Sequence, residues 1–326
     1  MIGLATLSWV ALALLGYPAL VGVLQLVFAS VAGAGALVAL VMAYRRQRVA
    51  ETATAHDRTR VLNERFTAIA GQLGDAQAAV RLAGVHAMAG LADDWPGNRQ
   101  TCVDVLCAYL RMPYEPDPGE RAGHGSRLVF LGNREVRHTV IRVITAYLRE
   151  DAGVSWQGLD FDFTGAVFDG GDFYDAEFSG GTVRFSGAGF AAGEVTFNYA
   201  RFSGADVMFY DASFSGAKVR FDWAAISGGT VSFIRARFSA GAVTFGSAEF
   251  TGGQVRFDEA QFTGGTASFD NAEFSGSDMR FDGALFGGGG VDFSRAADWT
   301  HPPGFEWKDA PPAGIKLPAA TGDDAQ

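Results

Sequence analysis

The sequence predicts two N-terminal transmembrane helices, a small all-α domain, and then a long all-β solenoid of stacked coils. Three observations carry this reading. Residues Ile2 to Tyr44 contain no Asp, Glu, Lys, Arg or His. Between Val49 and about Met112 the apolar residues fall at helical spacing. From Ala176 to Ala296 the chain repeats with a period of 12. Phe185, Phe197, Phe209, Phe221, Phe233, Phe245, Phe257, Phe269, Phe281 and Phe293 stand on one lattice. A second holds Phe178, Phe190, Phe202, Phe214, Ile226, Phe238, Phe250, Phe262, Phe274 and Phe286, and a third is Ala at every twelfth position from Ala176 to Ala296. A fixed short period is the mark of a solenoid, in which each coil buries its apolar face against its neighbours.

The first 44 residues read as a transmembrane hairpin. About 20 apolar residues span a bilayer as helix, and Gly16-Tyr17-Pro18 interrupts the run. The expected spans are about Ile2–Tyr17 and Val21–Tyr44. A single span with a dipping N-terminal segment is the alternative, because the first stretch is short. No basic residues precede the apolar run as they would in a signal peptide. Arg45, Arg46 and Arg48 follow the second span and place that end, and everything after it, in the cytoplasm of a cell with an inner membrane. Ala29, Gly33 and Ala36 form a small-residue face through which spans can pack into an oligomer, although such residues are also ordinary membrane composition.

Residues 45–112 form the helical domain. Val61, Phe66, Ile69 and Leu73 share one face, with Gly74 as a C-cap. Asp75 opens a second helix carrying Val80, Leu82, Val85, Met88 and Leu91, which Pro96-Gly97 ends. A third carries Cys102, Val103, Leu106, Cys107 and Leu110. Residues 113–131 are rich in Pro, Gly and charge and read as a linker. Residues 132–155 hold a helix of about Arg134 to Glu150, whose Val136, Val140, Ile144 and Leu148 suit it to capping an exposed β end. The solenoid occupies 156–307. The lattice fails at Asp298, and Trp299, Phe305 and Trp307 are available to close that end. Residues 308–326 are polar, contain Pro and read as a disordered tail.

Each 12-residue unit, such as Ala248-Glu249-Phe250-Thr251-Gly252-Gly253-Gln254-Val255-Arg256-Phe257-Asp258-Glu259, holds two small-x-Phe steps. Inward residues separated by one outward residue follow the side-chain period of extended chain. The Gly pair between them supplies a corner. Upstream, Phe163, Phe168, Phe173 and Phe178 are spaced by five, each with Phe161, Ala166, Gly171 or Ala176 two residues before it. This pattern resembles the pentapeptide-repeat family, whose unit carries a small residue two before a central Leu or Phe. The resemblance implies a right-handed quadrilateral β-helix with four pentapeptides per coil. The chain departs from the family by a two-residue Gly insertion at every second pentapeptide, which lengthens the coil from 20 to about 24 residues. A flattened coil of 12 residues is the alternative; the five-spaced steps favour 24. At about 4.8 Å per layer, just under six coils make a rod of roughly 28 Å. The segment from Ala79 to Ala92 resembles a HEAT-type helix. The block through Cys107-Ala108-Tyr109-Leu110-Arg111-Met112-Pro113 is similar to the helical segment preceding pentapeptide repeats in a group of actinobacterial membrane-anchored proteins. That resemblance brings no activity with it.

The net charge of −10 is concentrated in the rod, where Asp151–Thr300 holds 20 Asp and Glu against 9 Lys and Arg. An acidic rod disfavours nucleic acid as a ligand, since binding DNA needs cations on the phosphates. It leaves open DNA mimicry against a DNA-binding protein such as gyrase, which soluble members of the family perform, although a solvated acidic face is the simpler reading. Cys102 and Cys107 read as core thiols. The histidines are scattered and no metal-binding spacing occurs, so no metal, cofactor or catalytic residue is expected. The candidate partner-binding residues are Arg184, Arg220, Arg256 and Arg280, outward members of the Val-x-Phe column. With 24-residue coils, Arg184, Met208, Ser232, Arg256 and Arg280 stack on one face. Thr196, Arg220, Thr244, Ser268 and Asp292 stack on another. Pairing of these Arg with carboxylates such as Asp258 and Asp282 is the competing reading. The function expected is a membrane-anchored, non-catalytic scaffold whose rigid β-helix meets a protein partner and whose anchor meets the bilayer. DNA mimicry comes second. A carbohydrate-active β-helix enzyme comes third, because the lattice has no insertion bearing converging acids.

Overall fold

The computed structural model describes residues 18–115, 117–119, 123–307 and 310–319. The first expected span, Ile2–Tyr17, lies outside them. By its contacts the chain divides into two units, Met1–Glu64 and Arg65–Gln326.

The first unit is one helical stretch. Helix α1 runs Pro18–Leu73 without the break expected after Tyr44. Nothing from Arg45 to Leu73 is a Pro or a paired glycine, so charge replaces apolarity along a continuous helix. Its Gln25–Arg48 stretch, 24 residues, is long and apolar enough to cross a membrane and is not covered by protein. At 1.5 Å per residue that is about 36 Å, against roughly 30 Å of hydrocarbon. It is the one such helix among the described residues. Farther along, Arg60 pairs with Glu64 one turn on, at 3.1 Å.

The second unit begins with the last turns of α1 and continues through α2 (Ala78–Asp94), α3 (Arg99–Arg111) and α4 (His124–Leu148). Gly74 ends α1, its N–H donating to Ala70 O and Gly71 O. Val85, Met88 and Leu91 of α2, Val103, Leu106 and Leu110 of α3 and Val136, Val140 and Ile144 of α4 are buried together. Each contributes about 1.5–3 kcal/mol by leaving water. Cys102 and Cys107 are free and buried in this core, and burial pushes their thiols up to about 11 and about 12. Helix α4 starts ten residues before the expected position, inside the stretch read as linker. Gly125 and Gly132 suggested a break, but a helical Gly costs only about 1 kcal/mol against Ala. Gly132 has a packing reason: a Cβ there would lie 3.1 Å from the Cβ of Ala78 on α2.

The solenoid consists of two- and three-residue strands in four parallel sheets of five to seven strands, making about six coils. Partners lie 24 residues apart, as in Phe178 with Phe202 and Val219 with Val243. This register excludes the 12-residue coil. The first coil is shorter, since Phe161 pairs with Val183 and Val167 with Gly189. It contains one Gly pair instead of two, so the missing residues follow directly from the sequence.

Inside, each Phe lattice splits into two columns. Phe185, Phe209, Phe233, Phe257 and Phe281 stack with successive ring centroids 4.7 Å apart. Phe190, Phe214, Phe238 and Phe262 do the same at 4.7, 4.7 and 4.5 Å. The Gly pairs are not loose bulges. A Cβ on Gly229 would stand 2.2 Å from Ala205 O of the preceding coil, and its φ of 65° is left-handed. A parallel solenoid of this coil length with stacked Phe fits a pentapeptide-repeat fold.

Both ends are closed. Helix α4 covers the first coil as expected, with Thr145 Oγ1 donating to Asp172 O at 2.7 Å and Arg137 Nη2 to Val167 O at 2.7 Å. Helix α3 shares the task. Gln100 Nε2 donates to Asp160 O and its Oε1 accepts from Asp160 N, mimicking a neighbouring strand, and Arg111 pairs with Asp162. At the far end Trp299 packs on Phe274 and Phe293, and Phe305 stacks on Phe281 at 5.2 Å. The segment read as a disordered tail contains one more strand. Ile315–Lys316 pairs with Val291-Asp292, and Ile315 is buried. One apolar side chain in register is enough to dock a tail that composition marks as polar.

Candidate partner-binding faces of the solenoid

The register places the candidate arginines on two faces. Arg184, Met208, Ser232, Arg256 and Arg280 are successive partners in one sheet. Thr196, Arg220, Thr244, Ser268 and Asp292 are partners in another. Arg220 therefore does not join the other three.

Three of the four spend their charge on neighbours. Arg256 pairs with Asp258 at 2.5 Å. Arg220 bridges Asp222 at 2.7 Å and Glu194 at 3.2 Å, and the hydrogen bond to Asp222 holds its guanidinium above its usual value. Arg280 pairs at 2.8 Å with Asp278, which raises it likewise, and not with Asp282 as expected. Asp278 shares the strand and lies on the same face two residues earlier. Arg184 makes no ion pair of this kind among the described residues. The faces thus carry alternating, mutually neutralised charge.

The most exposed ordered feature of the rod is an aromatic one that charge-based reading overlooked. Every twelfth residue from Asp175 to Gly283 has φ between 53° and 67°, forming a column of left-handed corners. Tyr199 and Trp223 occupy two of them, and both are half-exposed. Tyr174 stacks on Tyr199 at 5.4 Å, and Tyr199 on Trp223 at 5.3 Å with planes 7° apart. The signal was present on the lattice, since Tyr199 and Trp223 each stand two residues after a core Phe and 24 apart. Beside Trp223 lies a cleft of about 340 Å³.

A buried polar knot joins the cap to the first coil. The Asp169 carboxylate accepts from Tyr114 Oη at 2.7 Å and meets Arg134 at 3.2 Å and His138 Nε2 at 3.1 Å. Burial pushes this carboxyl up. The hydrogen bonds from His138 and Tyr114 and the charge of Arg134 outweigh burial and hold it below its ordinary value. A carboxyl depressed on folding adds stability that is present above its unfolded value and lost as pH falls through its folded value. Asp169→Asn should therefore lower stability at pH 7 by about 1–3 kcal/mol. It should also flatten the acid limb of thermal stability below roughly pH 4. Melting curves of both proteins from pH 7 to pH 2 check this; parallel curves would assign the knot no part in acid stability.

Among the described residues no group of three His, Cys, Asp or Glu side chains converges as a metal site requires. No family model matches the chain, and no curated protein or solved structure matches it.

Proposed function

We propose that this protein is a non-catalytic interaction scaffold, tethered to a membrane by α1 and offering its β-solenoid to a protein partner. The observation that carries the reading is the unbroken lattice from Phe163 to Phe293, in which no inserted loop gathers reactive side chains. A rod whose coils are locked by stacked rings holds surface residues at fixed spacing, which suits an extended binding face. The solenoid is taken as right-handed and four-sided, from the four parallel sheets and the handedness that twisted strands impose on parallel connections. The uncovered Gln25–Arg48 stretch supports the tether, and Arg45, Arg46 and Arg48 support a cytoplasmic rod. Pairing weighs against DNA mimicry: Asp211, Asp222, Asp258, Asp270 and Asp278 are each joined to an Arg instead of forming a free acidic track.

The test uses the full chain with a proximity-labelling enzyme fused after Gln326. Wild-type protein should stay with membranes after an alkaline wash and label a small set of cytoplasmic or membrane proteins. Val31→Arg with Leu37→Arg, each adding roughly 3 kcal/mol to membrane insertion, should move the protein to the soluble fraction. A wild-type protein found soluble would sink the tether. Diffuse labelling would sink the scaffold, and labelling dominated by topoisomerase subunits would turn the reading to mimicry.

A further inference from the structure

The aromatic column stops one layer short, and the gap has the shape of a planar side chain. Left-handed backbone is tolerated by Gly, Asn and Asp, which occupy most of this column, and is an outlier for bulky residues. Tyr199 and Trp223 take it at φ 60° and 56° while half-exposed, so neither the backbone nor the core explains why large rings stand there. Strained positions held this way concentrate at binding sites.

Tyr199 covers one face of the Trp223 ring. The next coil offers no ring for the other face, because Gly246 and Ser247 stand at that level, and Trp223 N–H donates to Gly246 O at 2.7 Å. One coil farther, the Asn271 amide Nδ2 donates to Ser247 Oγ at 3.1 Å and leaves a flat group above the gap. Trp223 and Asn271 are two coils apart, roughly 9.5 Å. One aromatic ring fills that interval at the spacing of the column itself. The cleft at this position is lined by Trp223, Ser247, Asn271, Lys218 and Thr244. Thr244 Oγ1 is buried without a hydrogen-bond partner. Lys218 forms no ion pair among the described residues, whereas the adjacent Arg220 is held by Glu194 and Asp222.

We infer that this slot is the docking point for an aromatic side chain of a partner protein, flanked in that partner by a carboxylate that meets Lys218. The ring continues the Tyr174–Tyr199–Trp223 stack, and the carboxylate answers the free ammonium at the rim. Aromatic and basic residues at the centre of a contact carry most of its binding energy. This inference rests on the scaffold reading and names its contact.

A random 12-residue peptide library displayed on phage and panned on the purified full chain supplies the probe. Enriched peptides should carry Trp, Tyr or Phe within two residues of Asp or Glu. Their affinity, read by fluorescence anisotropy of synthetic copies, should fall at least tenfold in Trp223→Ala and in Lys218→Glu. Ser247→Trp is the decisive variant, since it fills the slot with the chain's own ring and should abolish binding while the circular dichroism and melting temperature hold. Enrichment of peptides without aromatic residues, no enrichment, or unchanged affinity in Ser247→Trp would overturn the slot. Proximity labelling separates the two readings. A defined wild-type labelling set that persists in Ser247→Trp keeps the scaffold and removes the slot, whereas diffuse wild-type labelling removes the scaffold itself.

Discussion

Phe233→Asp should unfold the middle of the rod. Phe233 is fully buried, with Phe209 and Phe257 each 4.7 Å away in its own column and Phe221 and Phe245 edge-on at 6.1 and 6.3 Å. Truncating a buried Phe to Ala costs about 3–5 kcal/mol. Asp adds the burden of a carboxylate with no partner in a wall of rings, so the total exceeds that range. Such a loss rivals the whole stability of an ordinary domain, about 5–15 kcal/mol. Because each coil contacts only its neighbours, the damage should start locally. Hydrogen exchange should show protection lost first over the coils from Phe209 to Phe257, with the helical cap protected longer. A melting temperature equal to the wild type would mean that the Phe columns are not the core.

Gly229→Val should be the next most damaging change, for a different reason. The new Cβ would lie 2.2 Å from Ala205 O and 2.8 Å from Gly204 C, and both are backbone atoms of the adjacent coil that cannot move aside. The left-handed φ of 65° adds about 1–2 kcal/mol for a residue with a Cβ, and forced overpacking about 1–3 kcal/mol. The sum is roughly 2–5 kcal/mol. Gly187→Ala separates the two causes, because Gly187 has nearly the same φ, 64°, and open space around it. It should cost only about 1 kcal/mol. Chemical denaturation of the two variants reads the difference. Equal losses would show that backbone conformation alone, and not the approach of the coil below, selects Gly at these corners.

Much of the architecture was legible because a solenoid is nearly one-dimensional. The spacing of Phe163, Phe168, Phe173 and Phe178 by five, and of later Phe by five and seven alternately, states the coil length before any contact is known. The register of 22 in the first coil and 24 afterwards is that spacing summed. The apolar Gln25–Arg48 stretch was equally plain, since length and composition alone decide whether a helix can span a membrane. Errors came where a few local contacts outvote composition. Helix α4 runs through a Gly-rich stretch because Gly132 lets it approach Ala78, and Ile315 docks a polar tail by finishing a sheet. Likewise Gln100 caps an open strand from 60 residues away, which no periodicity announces.

The candidate site divides along the same line. Period and coil length determined which outward residues stack, so the faces bearing Arg184, Arg256 and Arg280, and separately Arg220, could be written down from the sequence. Whether those charges are free depends on side-chain reach across two residues or 24, and the fold paired Arg220, Arg256 and Arg280 with Asp222, Asp258 and Asp278. The sequence also held Tyr174, Tyr199 and Trp223 in plain view. Only the tertiary structure decided that coils stacked a ring's thickness apart bring them face to face, and that Ser247 leaves the next layer empty. Repetition along the chain specifies distance along the rod. The availability of a charge or a ring face is set by what neighbouring coils place beside it.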